Sequence, residues 1–232
     1  MNHFGQPRTH LILAADRPSL GANLDLLQQV GDQIDVVKVC SPLIYSEGAR
    51  AITKLARESH RPVFADLKLA DVPHTDAEIV KICRDHGAAA VMVHGFLGPD
   101  ALAASIEAAE GELGIITQVE LTNPGGLIFN QPIADDIAQL ARDTHVFGIQ
   151  APGNRPERVR KLREIIGPEK IIVCCGVGVQ GGSFRDVRTA GGDYAIVGRA
   201  IYNAADPAEA CRAILDDGDT AIATVSKREL TE

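Results

Sequence analysis

The sequence has no tryptophan, only two methionines, and aromatic residues at just 4% of its 232 positions. It also lacks any apolar run near the ~20 residues that a membrane-spanning helix needs. The apolar run Leu11–Ala15 stops at Asp16 and has no positively charged segment of the kind that begins a secretory signal. We therefore expect a soluble cytoplasmic protein with no membrane partner.

Positive charge is scarce as well. Lys and Arg number 23 against 31 Asp and Glu, which gives a net charge of −8, and no basic run stands out. A surface for nucleic acid or for an anionic membrane is therefore not expected. Any anionic ligand has to be held by a local site.

The cysteines show no C-x-x-C spacing, and their number is odd. This pattern predicts reduced thiols in the cytosol rather than a disulfide framework. Cys174 and Cys175 are adjacent, but neighbours on a strand point to opposite faces, so a redox pair is not expected. The five cysteines are Cys40, Cys83, Cys174, Cys175 and Cys211.

Short apolar strands alternate with amphipathic helices eight times within about 215 residues, and no linker interrupts them. The strands are predicted at 10–16, 34–40, from Pro62 onward, and at 89–94, 114–120, 146–150, 170–175 and 194–198. Among the helices, one is predicted over about 43–58 and the last over 207–215. This pattern predicts a single α/β domain, a (β/α)₈ TIM barrel over residues 1–216 with a polar tail at 217–232. An open doubly wound sheet is the alternative, but its glycine fingerprint normally follows the first strand, and here a glycine-rich loop follows the seventh.

The third strand carries the most unusual pattern in the chain. It begins as the apolar run of a buried strand and then places Asp66, Lys68 and Asp71 within six residues, before Pro73 turns the chain. Asp66 and Lys68 are two positions apart and would project to the same side of a regular strand. Buried charges are costly unless paired, so the run is either a structural ion pair at the barrel mouth or a catalytic array.

Polar residues also gather at the carboxyl ends of the other strands, where barrel enzymes place their active sites. Taken alone, Asp16 could cap a helix and Lys38 could form a salt bridge at the rim. We interpret His94 as structural, and Glu120 and Gln150 as lying outside direct contact with substrate.

The loop Gly176–Gly182 follows strand seven and Gly198-Arg199 follows strand eight. Exposed backbone N–H groups and a guanidinium there predict a phosphate-bearing substrate.

With its Val72-Pro73 ending and Lys38 on the preceding strand, the motif Asp66-x-Lys68-x-x-Asp71 resembles that of the orotidine 5′-phosphate decarboxylases, especially the short archaeal form. The D-x-K-x-x-D array is shared with hexulose-phosphate synthase and ketogulonate-phosphate decarboxylase, whereas Lys38, Val72-Pro73 and Gln180 favour the orotidylate enzymes. The resemblance covers nearly the whole chain. Its other motifs are Leu11–Asp16, Val37–Val39, Val93–Gly95, Gly176–Gly182 and Val197–Arg199.

Two segments depart from that family pattern. Thr122-Asn123 precedes Pro124-Gly125 where the family commonly has serine and then often histidine, and Cys174-Cys175 stands where Ser-Pro is common. Threonine keeps the hydroxyl, so recognition of the pyrimidine is expected to survive. The cysteine change is peripheral to the site and lies at the hinge of the glycine loop.

The resemblance implies decarboxylation of orotidine 5′-monophosphate to uridine 5′-monophosphate. In this scheme Lys68 protonates C6 of the pyrimidine and Asp66 faces the substrate carboxylate, while Lys38 and Asp71 complete the charge array. The resemblance also implies a homodimer whose composite sites take Asp71 and Thr75 from the partner. The remaining implied substrate-binding residues are Asp16, Thr122, Gly178, Gln180, Gly181, Gly198 and Arg199.

No metal and no organic cofactor is expected for this reaction. The alternative enzyme is a magnesium-dependent sugar-phosphate aldolase or decarboxylase of the same superfamily, in which the acids would help to hold the metal. A nucleotide-binding protein without catalysis is the alternative from another class. That reading would require a broken charge array, and all four charged residues are present.

Overall fold

The computed structural model describes the backbone of residues 2–229 and the side chains of residues 2–218. Eight parallel strands hydrogen-bond to their neighbours in chain order, and the eighth pairs with the first. This closed barrel confirms the predicted (β/α)₈ fold. The strands are β1 Leu11–Ala14, β2 Val36–Cys40, β3 Val63–Leu69, β4 Ala90–His94, β5 Gly114–Gln118, β6 Gly148–Pro152, β7 Ile171–Cys175 and β8 Tyr194–Val197.

Helices surround the barrel, and the amphipathic ones bury one face against the strands. The helices are α1 Leu20–Val30, α2 Ser41–Glu47, α3 Arg50–Ser59, α4 Pro73–Asp85, α5 Pro99–Ala109, α6 Gly126–Phe129, α7 Ala134–Asp143, α8 Pro156–Ile166, α9 Phe184–Thr189, α10 Arg199–Tyr202 and α11 Pro207–Glu229. Among the residues that the structure describes, no helix is both long and apolar enough to cross a membrane.

Two predicted helices and one predicted strand end need correction. The helix predicted over 43–58 is two helices, because Gly48 adopts a positive φ of 76° that ends α2. Pro73 does not end the third strand, which stops at Leu69, but is the first residue of α4. The N–H groups of the first turn of a helix have no partner within the helix, so proline, which has no N–H, fits this position. The last helix was predicted at 207–215 and continues to Glu229. It therefore takes in most of the segment predicted as a polar tail, and residues 230–232 lie outside the described part of the chain.

The strand side chains form two separate cores. One set faces outward and packs beneath the helices, as Leu13, Val37 and Ile149 do. The alternate set faces into the barrel, where Phe64, Met92 and Tyr194 are fully or almost fully buried. This alternation follows from the two-residue period of a strand.

An N-terminal residue closes the lower, amino-terminal end of the barrel. Phe4 is 4% exposed and packs in the interior cluster. Its ring meets the rings of Phe147 and Tyr194 edge to face, with centroids 5.2 Å and 5.5 Å apart. Edge-to-face contacts are favoured between aromatic rings, so Phe4 acts as a plug that contributes to stability.

Candidate active site

The interior positions at the upper, carboxyl-terminal end of the strands form one ring of side chains, which we call the upper layer. Its members follow from the alternation of each strand, and most are polar, unlike the residues directly below them. The upper layer consists of Ala14, Lys38, Asp66, His94, Gln118, Gln150, Cys175 and Ile196.

A chain of ion pairs crosses one side of this layer. Lys38 Nζ lies 3.1 Å from Asp16 Oδ1 and 3.2 Å from Asp66 Oδ2. Lys68 Nζ lies 2.6 Å from Asp66 Oδ1. The structure therefore joins four of the predicted residues in the order Asp16, Lys38, Asp66, Lys68. Each oxygen of the Asp66 carboxylate forms an ion pair with a different lysine.

Regular strand alternation does not explain how Asp66 and Lys68 meet. Lys68 has a positive φ of 49°, and the pairing of β3 with β4 shifts register between Ala65 and Leu69. A non-glycine residue in this conformation is uncommon, and such strain concentrates at functional sites. The bulge turns the Lys68 side chain toward the barrel mouth, where it is 38% exposed while Asp66 is buried.

Electrostatics keep this array charged despite its burial. Burial alone would lower the pKa of Lys38, but the Asp66 and Asp16 carboxylates outweigh it and raise that pKa above its ordinary value. Burial alone would likewise raise the pKa of Asp66, but the Lys38 and Lys68 ammoniums outweigh it and lower that pKa. Both Lys38 and Asp66 are therefore ionised throughout the neutral range.

A cavity of about 240 Å³ opens above the array and is lined by both predicted halves of the site. Asp66 and Lys68 lie at its floor, while Gln180 and Arg199 come from the loops after β7 and β8. Gly176, with a positive φ of 87°, leads into the glycine loop, and a side chain there would crowd Thr122 and Gln180. The predicted residues that line this cavity are Asp16, Lys38, Asp66, Lys68, Thr122, Gln180, Gly198 and Arg199.

Asp71 and Thr75 do not line the cavity of their own chain. Asp71 is exposed, and it borders a different hollow together with Val72 and Pro73. Its backbone N–H donates to Asp76 Oδ1 at 3.2 Å, and its own Oδ1 accepts the N–H of Val72 at 2.7 Å. Within one chain, Asp71 is therefore separate from the other three residues of the predicted catalytic array.

Gly178 and Gly181, which the sequence predicts to bind substrate, lie outside this cavity in the structure. The Gly178 N–H donates to the carbonyl of Gly182, and the Gly181 N–H donates to the carbonyl of Gly178, both at 2.8 Å. The loop folds back on itself, so these two N–H groups are already used. Neither glycine lines the cavity, and their positive φ angles serve the turn instead.

Burial disfavours the thiolate form of the two thiols beside the array. Burial raises the pKa of Cys175, which lines the cavity, to about 12. Burial also raises the pKa of Cys40 to about 11. The thiolate is the nucleophilic form, so neither residue is suited to nucleophilic catalysis at neutral pH. Cys174 packs in the outer core, so it and Cys175 face opposite sides as predicted.

A buried ion cluster supports the loop that carries Thr122. The Glu120 carboxylate is fully buried and accepts from Arg155 Nε at 3.1 Å and from Arg158 Nε at 2.6 Å. Arg155 also donates to the Leu121 carbonyl. Glu120 therefore holds the loop rather than substrate, in keeping with the sequence interpretation. Sequence reasoning missed the two arginines because their partner lies some 35 residues earlier in the chain.

Tyr202 is a cavity residue that sequence reasoning also missed. It lies three positions after Arg199 on α10, and this helical spacing was a signal that could have revealed it. Within the described part of the chain, no group of three His, Cys, Asp or Glu side chains is placed to hold a metal ion.

The fold and the cavity define a (β/α)₈-barrel enzyme with a lysine–aspartate array at its mouth. Residues 9–214 match the model of the orotidine 5′-phosphate decarboxylase / HUMPS family. The chain therefore belongs to that family.

Two curated relatives carry the name orotidine 5′-phosphate decarboxylase. The protein from Methanococcoides burtonii is 42% identical over 91% of this chain and 98% of its own length. The protein from Pyrococcus furiosus is 40% identical over 89% of this chain and 96% of its own length.

Two solved structures are also similar. Orotidine 5′-phosphate decarboxylase from Pyrococcus horikoshii superposes with a TM-score of 0.83 at 39% identity, covering 90% of this chain and 99% of that one. The Methanocaldococcus jannaschii enzyme complexed with inhibitor BMP gives a TM-score of 0.84 at 35% identity, covering 89% and 97%.

Proposed function

We propose that this protein decarboxylates orotidine 5′-monophosphate to uridine 5′-monophosphate in the cytoplasm. The observation that carries the proposal is the ion-pair chain from Asp16 through Lys38 and Asp66 to Lys68, placed at the floor of a cavity whose rim supplies Gln180 and Arg199. The names of the relatives and of the solved structures support the same reaction.

The reaction leaves negative charge at C6 of the pyrimidine, where no carbonyl is placed to accept it as an ordinary enolate. A fixed ammonium next to C6 stabilises that charge and then supplies the proton. Lys68 suits this role because its ammonium is held by Asp66 and yet remains open to the cavity. Lys68 is therefore the proposed proton donor.

Asp66 and Lys38 have supporting roles in this scheme. Asp66 faces the substrate carboxylate and disfavours it electrostatically, while its own ion pair holds the Lys68 ammonium in place. Lys38 balances Asp66 from the other side and, with Asp16, would contact the ribose hydroxyls. The array needs no reorganisation when substrate binds, because its charges are already paired in place.

The phosphate would bind far from the reacting carbon. Arg199 can hold it bidentately, Gln180 reaches it from the glycine loop, and Thr122 would meet the pyrimidine edge. Binding energy gained at the phosphate can be used to assemble the charged site around C6.

The magnesium-dependent sugar-phosphate reaction is less well supported by the array. Both oxygens of Asp66 are already paired with lysine ammoniums, so a divalent cation there would have to displace a positive charge. The charge array favours proton donation by lysine over support of a metal.

The direct test is the loss of orotidylate absorbance catalysed by the purified protein in excess EDTA, with a parallel assay on hexulose 6-phosphate in magnesium. We expect turnover of orotidylate that EDTA leaves unchanged, with one uridylate formed per orotidylate consumed. Turnover of the sugar phosphate alone, or orotidylate activity abolished by EDTA, would contradict the proposal.

We also propose a homodimer in which Asp71 and Thr75 complete the partner's site. The support is geometric, since Asp71 is exposed and lies outside the cavity of its own chain. The hollow that it borders is lined by apolar side chains, among them Leu97 and Val72, which is 61% exposed. Exposed apolar residues of this size are typical of a surface that is covered in an assembly.

Subunit exchange between two inactive variants tests the shared site. Asp71→Ala and Lys68→Ala are each expected to inactivate a homodimer, whereas a mixed dimer has one site with both changes and one site with neither. Random exchange should restore about a quarter of wild-type activity, by the symmetry of an isologous pair. No recovery, with exchange confirmed independently, would show that Asp71 acts within its own chain.

A further inference from the structure

Two buried glutamines occupy the upper layer beside the charged array, and the proposed mechanism uses neither. Gln118 is fully buried and Gln150 is 2% exposed. The interior position below Gln118 on the same strand is apolar Ile116. A buried carboxamide is costly unless it is hydrogen-bonded, so a pair of them at this level has to be held in place by partners.

The structure supplies those partners. Gln118 Nε2 lies 3.2 Å from Gln150 Oε1 and 3.4 Å from Asn130 Oδ1. With its carboxamide turned over, Gln118 would instead donate to His94 Nδ1 at 2.6 Å and accept from the Glu120 N–H at 3.1 Å. In the first orientation Gln118 donates to Gln150 Oε1 and so positions Gln150 from behind. In the second the Gln118 oxygen faces Gln150 Oε1 at 3.2 Å, and the two side chains lie in contact without that hydrogen bond.

Gln150 differs from Gln118 because it lines the cavity, together with Asp66 and Lys68. Its Nε2 donates one N–H to the Ala151 carbonyl at 2.7 Å. A carboxamide nitrogen has two N–H groups, so a second one remains for a ligand in the cavity. Because Gln150 is almost fully buried and also borders the cavity, its side chain is held in a position from which it can recognise a ligand.

We infer that Gln150 determines specificity for the substrate's 6-carboxylate, to which its second N–H donates a hydrogen bond. This inference rests on the proposed function, in which the carboxylate at C6 lies beside Asp66. The Asp66 carboxylate repels that group, and a neutral donor across the cavity fixes its orientation without cancelling the lysine charges. The product has hydrogen at C6, so this hydrogen bond exists for the substrate alone.

The consequence is a difference between substrate and product binding. Loss of the Gln150 N–H weakens binding of orotidylate and leaves uridylate unaffected, since the two nucleotides share the phosphate, ribose and base carbonyls. The carboxylate is still in place as its bond to C6 begins to break, so the hydrogen bond acts on the ground state and the transition state alike, and its loss raises KM while kcat is retained. A residue with only a structural role would lower stability and affect both nucleotides alike.

Binding measured without turnover provides the test. Dissociation constants for orotidylate and uridylate are determined by calorimetry for Lys68→Ala and for the double variant Lys68→Ala/Gln150→Leu. We expect the double variant to bind orotidylate about tenfold more weakly, the typical effect of a hydrogen bond to a charged group, and uridylate within twofold. Gln29→Leu, at an exposed position on α1, is the control in the same background.

Equal weakening of both nucleotides would overturn the inference, because Gln150 would then contact the base rather than its 6-substituent. Unchanged binding of both would also overturn it. If Gln150→Leu does not fold, the isosteric Gln150→Glu replaces it, and its added negative charge should weaken orotidylate selectively. Wild-type protein that does not turn over orotidylate refutes the proposed function, whereas active wild-type protein with an unchanged binding ratio refutes only this inference.

Discussion

The two ends of the barrel interior are built from the same eight strands but differ in what they bury, apolar rings at one end and charges at the other. At the lower end Phe4, Phe64 and Tyr194 pack their rings together and exclude water. At the upper end Lys38 and Asp66 are equally well buried, but they are charged and paired with each other. Apolar burial stabilises the lower end, whereas at the upper end charges are held in a fixed arrangement at a cost in stability.

This difference shows how one barrel separates stability from chemistry. Apolar packing tolerates small changes of shape, so the lower end can be altered with a loss of stability alone. The charges of the upper end depend on one another, so the removal of one leaves its partners buried and uncompensated. The four variants or conditions below are ordered from the largest expected effect to the smallest.

Asp66→Ala is expected to have the largest effect on stability. It leaves the ammonium of Lys38 buried with Asp16 as its one remaining carboxylate partner, and breaking a buried pair in this way typically costs about 3–5 kcal/mol. Urea denaturation followed by circular dichroism measures the change, with Asp25→Ala, at an exposed position on α1, as the control. A loss as small as that of Asp25→Ala would mean that the ion pairs are not coupled to folding.

Phe4→Ala is expected to reduce the free energy of unfolding by about 3 kcal/mol, since it leaves a cavity among aromatic rings. The value of kcat should remain near that of the wild type, because Phe4 lies at the opposite end from the array. Phe129→Ala, at a position 81% exposed, is the matched control and should change stability by less than about 0.5 kcal/mol. A fall in kcat without a fall in stability would contradict the separation of the two ends.

Arg199→Ala is expected to weaken binding of orotidylate by about 2 kcal/mol while barely affecting the nucleoside orotidine, because only the nucleotide has a phosphate for the guanidinium to hold. Inhibition constants for the matched nucleotide and nucleoside provide the measurement. Arg142→Ala, an exposed arginine paired with Asp143, is the control. Equal losses for nucleotide and nucleoside would show that Arg199 does not contact phosphate.

Mild acid is expected to have the smallest effect, which is a loss of stability caused by protonation of His10 at the lower end of the barrel. Burial lowers the pKa of His10, with a further lowering by Arg188 that Asp35 and Asp193 oppose. The unfolded chain therefore binds a proton more readily than the folded chain. The stability that neutral His10 contributes is fully present above pH ~6.5 and is lost as the pH falls below that value.

One histidine accounts for at most about 1.4 kcal/mol per pH unit. The His10→Asn variant, in which asparagine tolerates the positive φ of 58° at this position, should flatten the slope of stability between pH 6.5 and 5. An unchanged slope would show that His10 is not the titrating group.

The barrel and most of the site could be predicted because both depend on local patterns. Apolar periodicity located all eight strands, and the rule that active sites lie at strand carboxyl ends selected Lys38, Asp66 and Arg199. These are properties of single segments. Closure of the barrel then places the ends of distant strands around one cavity without further information from the sequence.

Features that depend on contacts between segments could not be predicted. The positive φ of Lys68 arises where β3 shifts register against β4, and nothing in the sequence of β3 alone indicates it. The use of the Gly178 N–H within its own loop reflects the folded shape of that loop. Gln118 and Gln150 look like ordinary polar residues in apolar strands, and their contact appears only when β5 pairs with β6.

The turnover of Lys68→Ala tests the central claim, that the upper layer catalyses decarboxylation of orotidylate, most directly. Its kcat is measured from the loss of orotidylate absorbance, and its binding of uridylate is measured in parallel to confirm an intact site. We expect uridylate to bind while kcat falls below a tenth of the wild-type value, because the proton donor and the charge opposing the C6 carbanion are both removed. A variant that retains more than a tenth of wild-type kcat, a barrier change under ~1.4 kcal/mol, would contradict the role of Lys68.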